Sequence, residues 1–249
     1  MKLFNWAITD VGLKRDHNED GFLVDEKLNL YIVADGMGGH AGGEQASRIA
    51  IQEVRDTISE ADPSTSMPSA RDDPISSILS LAARRASHEI YRLGRKTPEL
   101  EGMGTTLTSL LFHNNRVCMG HVGDSRAYLF RDGRIEQISE DHSWINEQMK
   151  AGLLTEEEAK ESKFKHVITR SVGFERSVDV DILSLPILMG DCYLICSDGL
   201  SNYIENGELE LFLSTQYYSR VPQLLVDLAN DRGGDDNITI VLIYVANDT

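Results

Sequence analysis

Cysteine is scarce in this chain, and its scarcity limits the chemistry that the chain can perform. Only Cys118, Cys192 and Cys196 occur among 249 residues, each within an apolar run. The count is odd, and no pair has the close spacing of a zinc knuckle. We therefore expect buried free thiols and a reducing compartment. No cysteine stands in the setting of a nucleophile, which disfavours a phosphocysteine mechanism.

Positive charge is also in short supply. The sequence has 24 Lys and Arg residues against 40 Asp and Glu residues, which gives a formal net charge of −16. A polyanion would be repelled by such a chain, so nucleic acid is disfavoured as a partner. The same charge suits a protein that collects divalent cations, although an acid excess often serves only solubility.

Long apolar runs are missing as well. None approaches the roughly 20 residues needed to cross a bilayer, and the N-terminal sequence MKLFNWAITD lacks the basic and apolar segments of a signal peptide. A cytoplasmic protein without a membrane partner is therefore expected. With 41% apolar and 26% charged residues, 249 residues can bury a sizeable core. We expect residues 1–249 to form one domain.

The order of predicted elements indicates the fold class. Apolar residues at helical spacing predict helices over about 43–59 and 74–95, and short β-branched runs predict strands. The strands occur in adjacent runs, which favours antiparallel sheets covered by helices over a doubly wound parallel sheet. Residues 60–74 have the composition of a surface loop. The polar stretch 141–166 is predicted to project from the core, with a capping box at Thr155 and Glu158.

Several acidic residues follow strands in a way that suggests a metal site. Asp35, Asp124 and Asp198 each end an apolar strand and have Gly beside them. Strand ends are rigid mounts, and Gly permits a sharp turn or a close approach to a ligand. Converging carboxylates repel one another in a low-dielectric cleft, and cations relieve that repulsion. Ligand sets made only of oxygen select hard divalent ions such as Mg²⁺ or Mn²⁺.

A single Asp-Gly pair is more often a simple turn than a functional site. Asp132-Gly133, which lies between two polar-flanked strands, predicts only a hairpin. The metal interpretation rests on the joint occurrence of the three strand-end carboxylates with Arg15 and the Gly-rich segment 36–43.

Taken together, these segments resemble the metal-dependent protein phosphatase family of the 2C type, and in particular its bacterial serine/threonine phosphatases. The match extends from Asp10 to Thr239, and its most specific part is VADGMGGH at residues 33–40. Other matching segments lie at residues 15–20, 103–107, 122–126, 168–173, 195–199 and 233–237. The resemblance implies an α+β fold, a four-layer αββα sandwich in which two antiparallel β-sheets pack face to face between helices.

The resemblance also implies a metal-ligand set. Its members are Glu19, Asp20, Asp35, Gly36, Asp124, Asp198 and Asp236. Asp35 would bridge two ions with help from the Gly36 carbonyl, and Asp198 and Asp236 would bind the first ion. Glu19 and Asp20 would bind directly or through water, and Asp124 would hold a third, weaker ion. Mn²⁺ and Mg²⁺ fit equally well, and no other cofactor is implied.

A mechanism follows from the resemblance. A water held between two ions would attack phosphoserine or phosphothreonine, and Arg15 would grip the phosphate through its planar fork. His40 is the candidate general acid for the leaving group, the alternative being an ordinary polar residue at a helix entry. His17 and His142 are expected to be solvated. Residues 141–166 would form the family's substrate-selecting flap, packed by Trp144 and Met149.

The expected partners are phosphorylated proteins, either substrates of serine/threonine kinases or the kinases themselves, and a monomer is the default. Three alternatives stay open: a phosphatase of a small phosphorylated metabolite, an inactive phosphatase-like binding module, and a phosphatase with one regulatory partner. One departure from the family pattern is Asp235, which precedes the last Asp-Asn pair. Its carboxylate would tighten metal binding, share the ligand role or face solvent.

Overall fold

The computed structural model describes residues 1–39, 41–61, 74–164 and 166–247. Most of the loop predicted over 60–74 and the candidate acid His40 lie outside these residues. The strands are β1 (Lys2–Asp10), β2 (Gly21–Asp25), β3 (Leu30–Ala34), β4 (Gly36–Met37), β5 (Gly104–Thr105), β6 (Leu107–His113), β7 (Arg116–Val122), β8 (Arg126–Arg131), β9 (Arg134–Gln137), β10 (Asp181–Pro186), β11 (Cys192–Cys196) and β12 (Ile238–Ala246). The helices are α1 (Ala41–Glu60), α2 (Pro74–Lys96), α3 (Trp144–Lys150), α4 (Glu156–Glu161), α5 (Asp198–Ser201), α6 (Asn206–Thr215) and α7 (Val221–Asp231).

Ten of these strands form two antiparallel sheets. The first sheet has the order β1-β12-β11-β8-β9 and the second has the order β10-β7-β6-β3-β2. In the first sheet, β1 pairs with β12 over its whole length, from Lys2 opposite Ala246 to Asp10 opposite Ile238. The N-terminal and C-terminal parts of the chain therefore meet at one end of the sheet, beside Asp236. The short pair β4-β5 lies apart and joins Gly36 to Thr105.

The core is divided into three layers by the two sheets. Between the sheets, the rings of Tyr31, Phe112 and Tyr193 meet edge to face, with centroid separations of 5.6 and 5.3 Å. Helices α1 and α2 cover the outer face of the second sheet. Helices α5, α6 and α7 cover the outer face of the first. This is the αββα sandwich that was predicted.

The predicted elements agree with the structure in most places. Both long helices, the buried thiols and the capping box of Thr155 and Glu158 are confirmed. Asp132 and Gly133 have left-handed backbones between β8 and β9, as the hairpin prediction requires. Trp144 packs on Phe164 at a centroid distance of 5.0 Å. The extended stretch 104–113 is divided in two, because Thr106 interrupts it between β5 and β6.

The sequence patterns did not indicate three of the elements, β10, α5 and β4. Strand β10 is an edge strand that ends in Pro186, and such strands tolerate a composition that does not stand out as β. Helix α5 has only four residues, and β4 has two. None of the helices in the described part of the chain combines the length and apolar character that a membrane span requires.

Candidate active site

The backbone of Asp35 is held by two threonines, Thr105 of β5 and Thr106 between β5 and β6. The Asp35 amide donates to Thr106 Oγ1 at 2.8 Å, and the Asp35 carbonyl accepts from the Thr106 amide and from Thr105 Oγ1, both at 2.9 Å. The Thr106 hydroxyl is also 2.7 Å from Ser125 Oγ, on the turn that carries Asp124. Thr106 therefore connects two of the predicted carboxylate positions, and it does so through contacts that the sequence did not indicate.

Asp124 lies in a tight turn after β7. Its neighbour Gly123 has φ +111, and a Cβ there would lie 2.6 Å from Thr106 Cγ2, so only glycine fits. The Asp124 side chain is 8% exposed, and its Oδ1 atom is buried without a hydrogen-bond partner. A buried carboxylate oxygen without a partner is costly unless a cation or a proton satisfies it.

Asp198 is the first residue of α5, directly after the buried strand β11. Asn202, one turn later, donates to Asp198 Oδ2 at 3.1 Å, whereas Asp198 Oδ1 is buried and has no partner. Asp20, which precedes β2, is in the same situation, because its Oδ2 atom is buried and unpaired. Three predicted ligands thus present an unsatisfied carboxylate oxygen.

Asp236 and Arg15 come from opposite ends of the sequence and meet at the end of the β1–β12 pair. Arg15 Nη2 donates to Asp236 Oδ2 at 2.7 Å, and Arg15 Nε lies 3.4 Å from the Asp235 carbonyl. The Asn237 amide donates to Asp236 Oδ1 at 2.9 Å. The Arg15 side chain is about half exposed, so its guanidinium remains accessible at the edge of the cluster of acidic residues.

Asn237 fixes the loop over residues 11–19, which carries Glu19. The sequence did not indicate this role. Its Nδ2 donates to the carbonyls of Val11 and His17 at 2.9 and 3.0 Å. Its Oδ1 accepts from the Glu19 amide at 2.8 Å. Ser47 of α1 fixes the Glu19 carbonyl from the other side at 2.7 Å. The three contacts of Asn237 each cross more than 200 positions of sequence.

The pKa values of the acidic residues show that the carboxylates share one electrostatic environment. Burial and repulsion by Asp20, Asp198, Asp124 and Asp236 hold the pKa of Asp35 well above its ordinary range. Burial, with a smaller contribution from other carboxylates, raises the pKa of Asp20 to about 7 and that of Asp124 to about 8. The pKa of Asp198 is raised by burial and by Asp236.

The donor set fits divalent cations. Oxygen atoms of Asp20, Asp124 and Asp198 are buried and unpaired, and burial, with a smaller contribution from neighbouring carboxylates, raises the pKa of each of these side chains. In the part of the chain that is described, no three His, Cys, Asp or Glu side chains already form a finished ligand set. Arg15 and Asn202 bond to two of the acids instead. Small side-chain movements from these partners toward an ion would complete coordination.

Two histidines require a different account from the one predicted. His142, expected to be solvated, is only 5% exposed, because its Nδ1 accepts from the Gly123 amide at 3.0 Å and its amide donates to the Gly123 carbonyl at 2.8 Å. Its Nε2 is 3.1 Å from Asp181. His166, to which no role was given, lowers the pKa of Asp198 by its charge. His142, near the start of the stretch 141–166, therefore lies beside the turn of Asp124, and His166, at its end, lies near Asp198.

The fully buried His121 stacks on His142, with ring centroids 4.9 Å apart. Its Nε2 is 2.9 Å from the Glu140 carbonyl, which can only accept, so His121 is held as a neutral donor. Burial, and secondarily the charge of His142, lowers the pKa of His121 to about 4.

Acid is therefore expected to destabilise the fold through His121. Because folding lowers the pKa of His121, this stabilisation is complete above about pH 6.5 and is lost as the pH falls toward 4. The total loss in the free energy of unfolding is on the order of 3 kcal/mol. Urea unfolding of the protein and of His121→Gln at pH 7.5 and pH 5 measures this, and the variant should lose less stability over that interval. Equal losses in both proteins would contradict the assignment.

The family pattern of protein phosphatase 2C matches residues 14–231. The chain therefore belongs to the protein phosphatase 2C family, and it is a metal-dependent protein serine/threonine phosphatase that acts on phosphoproteins.

Its relatives support this at the level of the whole chain. The serine/threonine phosphatase stp of Listeria innocua is 36% identical over 239 residues, which are 94% of this chain and 93% of that protein. A crystal structure of the Mycobacterium tuberculosis serine/threonine phosphatase PstP/Ppp has a TM-score of 0.88 at 34% identity, covering 98% of this chain and 99% of that one. Another structure, of the catalytic domain of PstP with two manganese ions, has a TM-score of 0.85 at 34% identity, over 98% and 99% of the two chains.

Proposed function

We propose that the enzyme removes phosphate from phosphoserine and phosphothreonine. The reaction takes place at the cluster of acidic residues described above, with two Mn²⁺ or Mg²⁺ ions bound there. Asp35 and the Gly36 carbonyl would hold both ions, and Asp198 and Asp236 would hold the first. Glu19 and Asp20 would complete the set, directly or through water, and Asp124 would hold a third, weaker ion. The observation that carries this proposal is the set of buried, unpaired oxygen atoms on Asp20, Asp124 and Asp198.

The ions, when bound, supply an activated water and neutralise the charge of the phosphate. The chain supplies orientation. Arg15 lies at the exposed edge of the acidic group, where its planar fork can bind two phosphate oxygens and stabilise the charge that develops on them. The hydroxyls of Thr105 and Thr106 form hydrogen bonds with the Asp35 backbone. Asp35 is therefore held in position before any ion binds.

Calorimetry tests the ion sites directly. Titration of the metal-free enzyme with Mn²⁺ should give two tight sites and one weaker site. The weak site should vanish in Asp124→Asn, because that change removes one anionic oxygen donor, while the tight sites remain. Loss of a tight site in Asp124→Asn would contradict the assignment of this residue.

We further propose His40 as the general acid that protonates the leaving alkoxide. His40→Ala should slow hydrolysis of a phosphothreonine peptide by roughly 10²-fold, and hydrolysis of an aryl phosphate far less, because a phenolate leaves without a proton. His166, a histidine whose charge is felt by Asp198, is the matched control. His166→Ala should change both rates by similar factors. The acid role is refuted if His40→Ala slows the two substrates equally.

The substrates we propose are proteins phosphorylated by serine/threonine kinases, or those kinases themselves. Residues 141–166 would form a flap that helps to select them, and its exposed apolar residues Leu153 and Phe164 offer a contact surface. We also propose that residues 1–249 form one catalytic domain that acts as a monomer in the cytoplasm. A panel of phosphoserine, phosphothreonine and phosphotyrosine peptides, with Mn²⁺ and with chelator, tests the substrate class.

A further inference from the structure

Asp235 precedes the last Asp-Asn pair of the sequence, and its carboxylate has a defined partner. The Tyr203 hydroxyl donates to Asp235 Oδ2. The carboxylate is exposed and is held by the phenol, so it neither faces solvent alone nor joins the buried oxygen atoms of the ion site.

Tyr203 is anchored on its own side of this bond. It follows α5, the helix that begins with Asp198, and its ring packs against the core under the first sheet. Its amide donates to the Leu200 carbonyl at 3.0 Å, and its carbonyl accepts from Arg232 Nη1 at 2.6 Å. The phenol therefore has a fixed position from which to hold its neighbour.

The neighbour is the turn over residues 233–236. Gly233 and Gly234 both have positive φ, a conformation that side-chain-bearing residues rarely adopt, so this turn depends on glycine. The phenol ring restricts it, since a Cβ on Gly233 would lie 2.9–3.2 Å from the Tyr203 hydroxyl and ring atoms. The Leu13 amide holds the other side of the turn through the Gly234 carbonyl at 2.7 Å.

This turn presents both acceptors of Arg15. The Asp235 carbonyl faces Nε at 3.4 Å, and the Asp236 carboxylate accepts from Nη2 at 2.7 Å. The side chain of Asp235 is thus tied to Tyr203 while its backbone contacts the guanidinium. Any shift of the turn moves the group that is proposed to bind phosphate.

We propose that Tyr203 and Asp235 form a positioning pair that sets the place of the Arg15 guanidinium and thereby the affinity for the phosphoryl group. The inference rests on the proposed role of Arg15 in phosphate binding. It predicts that the pair acts on phosphate affinity through Arg15, with no phosphate contact of its own.

The test uses the Mn²⁺-saturated enzyme, a phosphothreonine peptide and inorganic phosphate as the competing product. Tyr203→Phe and Asp235→Ala should each raise KM and the inhibition constant of phosphate about two- to tenfold, the effect of one hydrogen bond. The value of kcat should stay within about twofold, since the ion ligands are intact. Asp235→Asn keeps an acceptor for the phenol and should restore values close to the parent enzyme. Tyr217→Phe, at an exposed tyrosine away from this turn, is the control.

The Arg15→Ala background separates positioning from general damage. If the pair acts through Arg15, then Tyr203→Phe adds nothing to the phosphate inhibition constant in that background. A loss of folded protein would lower kcat and leave KM and the phosphate constant unchanged, so it cannot imitate the expected result. That pattern, or an additive effect with Arg15→Ala, overturns the proposal.

Two other results are also decisive. If Arg15→Ala leaves KM and the phosphate constant unaltered, the role of Arg15 fails and the pair has nothing to position. If Arg15→Ala weakens phosphate binding and Tyr203→Phe does not, only the pair fails. A higher Mn²⁺ requirement at an unchanged phosphate constant would place Asp235 at the ions, and it overturns the inference as well.

Discussion

Replacing Asp35 by Asn is expected to remove phosphatase activity while making the metal-free protein more stable. The amide keeps the shape of the carboxylate and loses its charge, so the proposed bridge between two ions is lost. Loss of one charge-stabilising group commonly costs 10²–10³-fold in rate, and we expect at least roughly that loss here. In the absence of metal the same change removes a buried acid that is repelled by four others.

Two measurements check this prediction. Manganese-dependent hydrolysis of a phosphothreonine peptide reports the activity. Thermal unfolding with and without Mn²⁺ reports the stability, and the variant should show a higher Tm without metal and a smaller rise with it. Asp132→Asn is the matched control, since Asp132 is exposed in a hairpin whose left-handed backbone Asn also tolerates. An Asp35→Asn enzyme with most of its activity would refute the bridging role.

Gly36→Ala is expected to have the largest effect on stability. A Cβ at Gly36 would lie 2.2 Å from the Gly43 carbonyl oxygen and 2.5 Å from that of Glu19, and both contacts are with backbone that cannot swing aside. Overpacking typically costs about 1–3 kcal/mol, and rigid neighbours place this site at or above the top of that range. Because α1 and the loop carrying Glu19 must separate, the response of Tm to Mn²⁺ should also decline.

Gly207→Ala is the counterpart in the same protein. Gly207 lies in α6 with nothing within 4 Å of its would-be Cβ, so Ala should stabilise the helix by about 0.5–1 kcal/mol. Urea unfolding of both variants gives the comparison. If Gly36→Ala unfolds at the same urea concentration as the parent, the close approach of α1 to this turn is not a constraint on the fold.

The sequence predicted those features that depend on local pattern. The alternation of strand and turn located Asp35, Asp124 and Asp198 at strand ends, and all three lie there. Helical spacing located both long helices because their apolar faces extend over five turns or more.

Features that depend on contacts between distant segments could not be predicted in the same way. The bonds from Thr106 to Asp35 and from Asn237 to the 11–19 loop cross about 70 and more than 200 positions, and no local pattern marks them. His142 was predicted to be solvated because its neighbours are polar, and its burial follows from a pairing with Gly123 that only the fold creates. The phenol partner of Asp235 belongs to the same class.

The pairing of β1 with β12 has a consequence for the time at which the enzyme becomes active in the cell. Strand β12 follows Asp236 and Asn237 directly, and Asn237 shapes the loop that carries Glu19. While the ribosome still holds that strand in its exit tunnel, Arg15 and Glu19 lack their counterparts. A nascent chain is therefore expected to lack phosphatase activity until β12 has left the tunnel, and a message truncated before β12 should yield an inactive product.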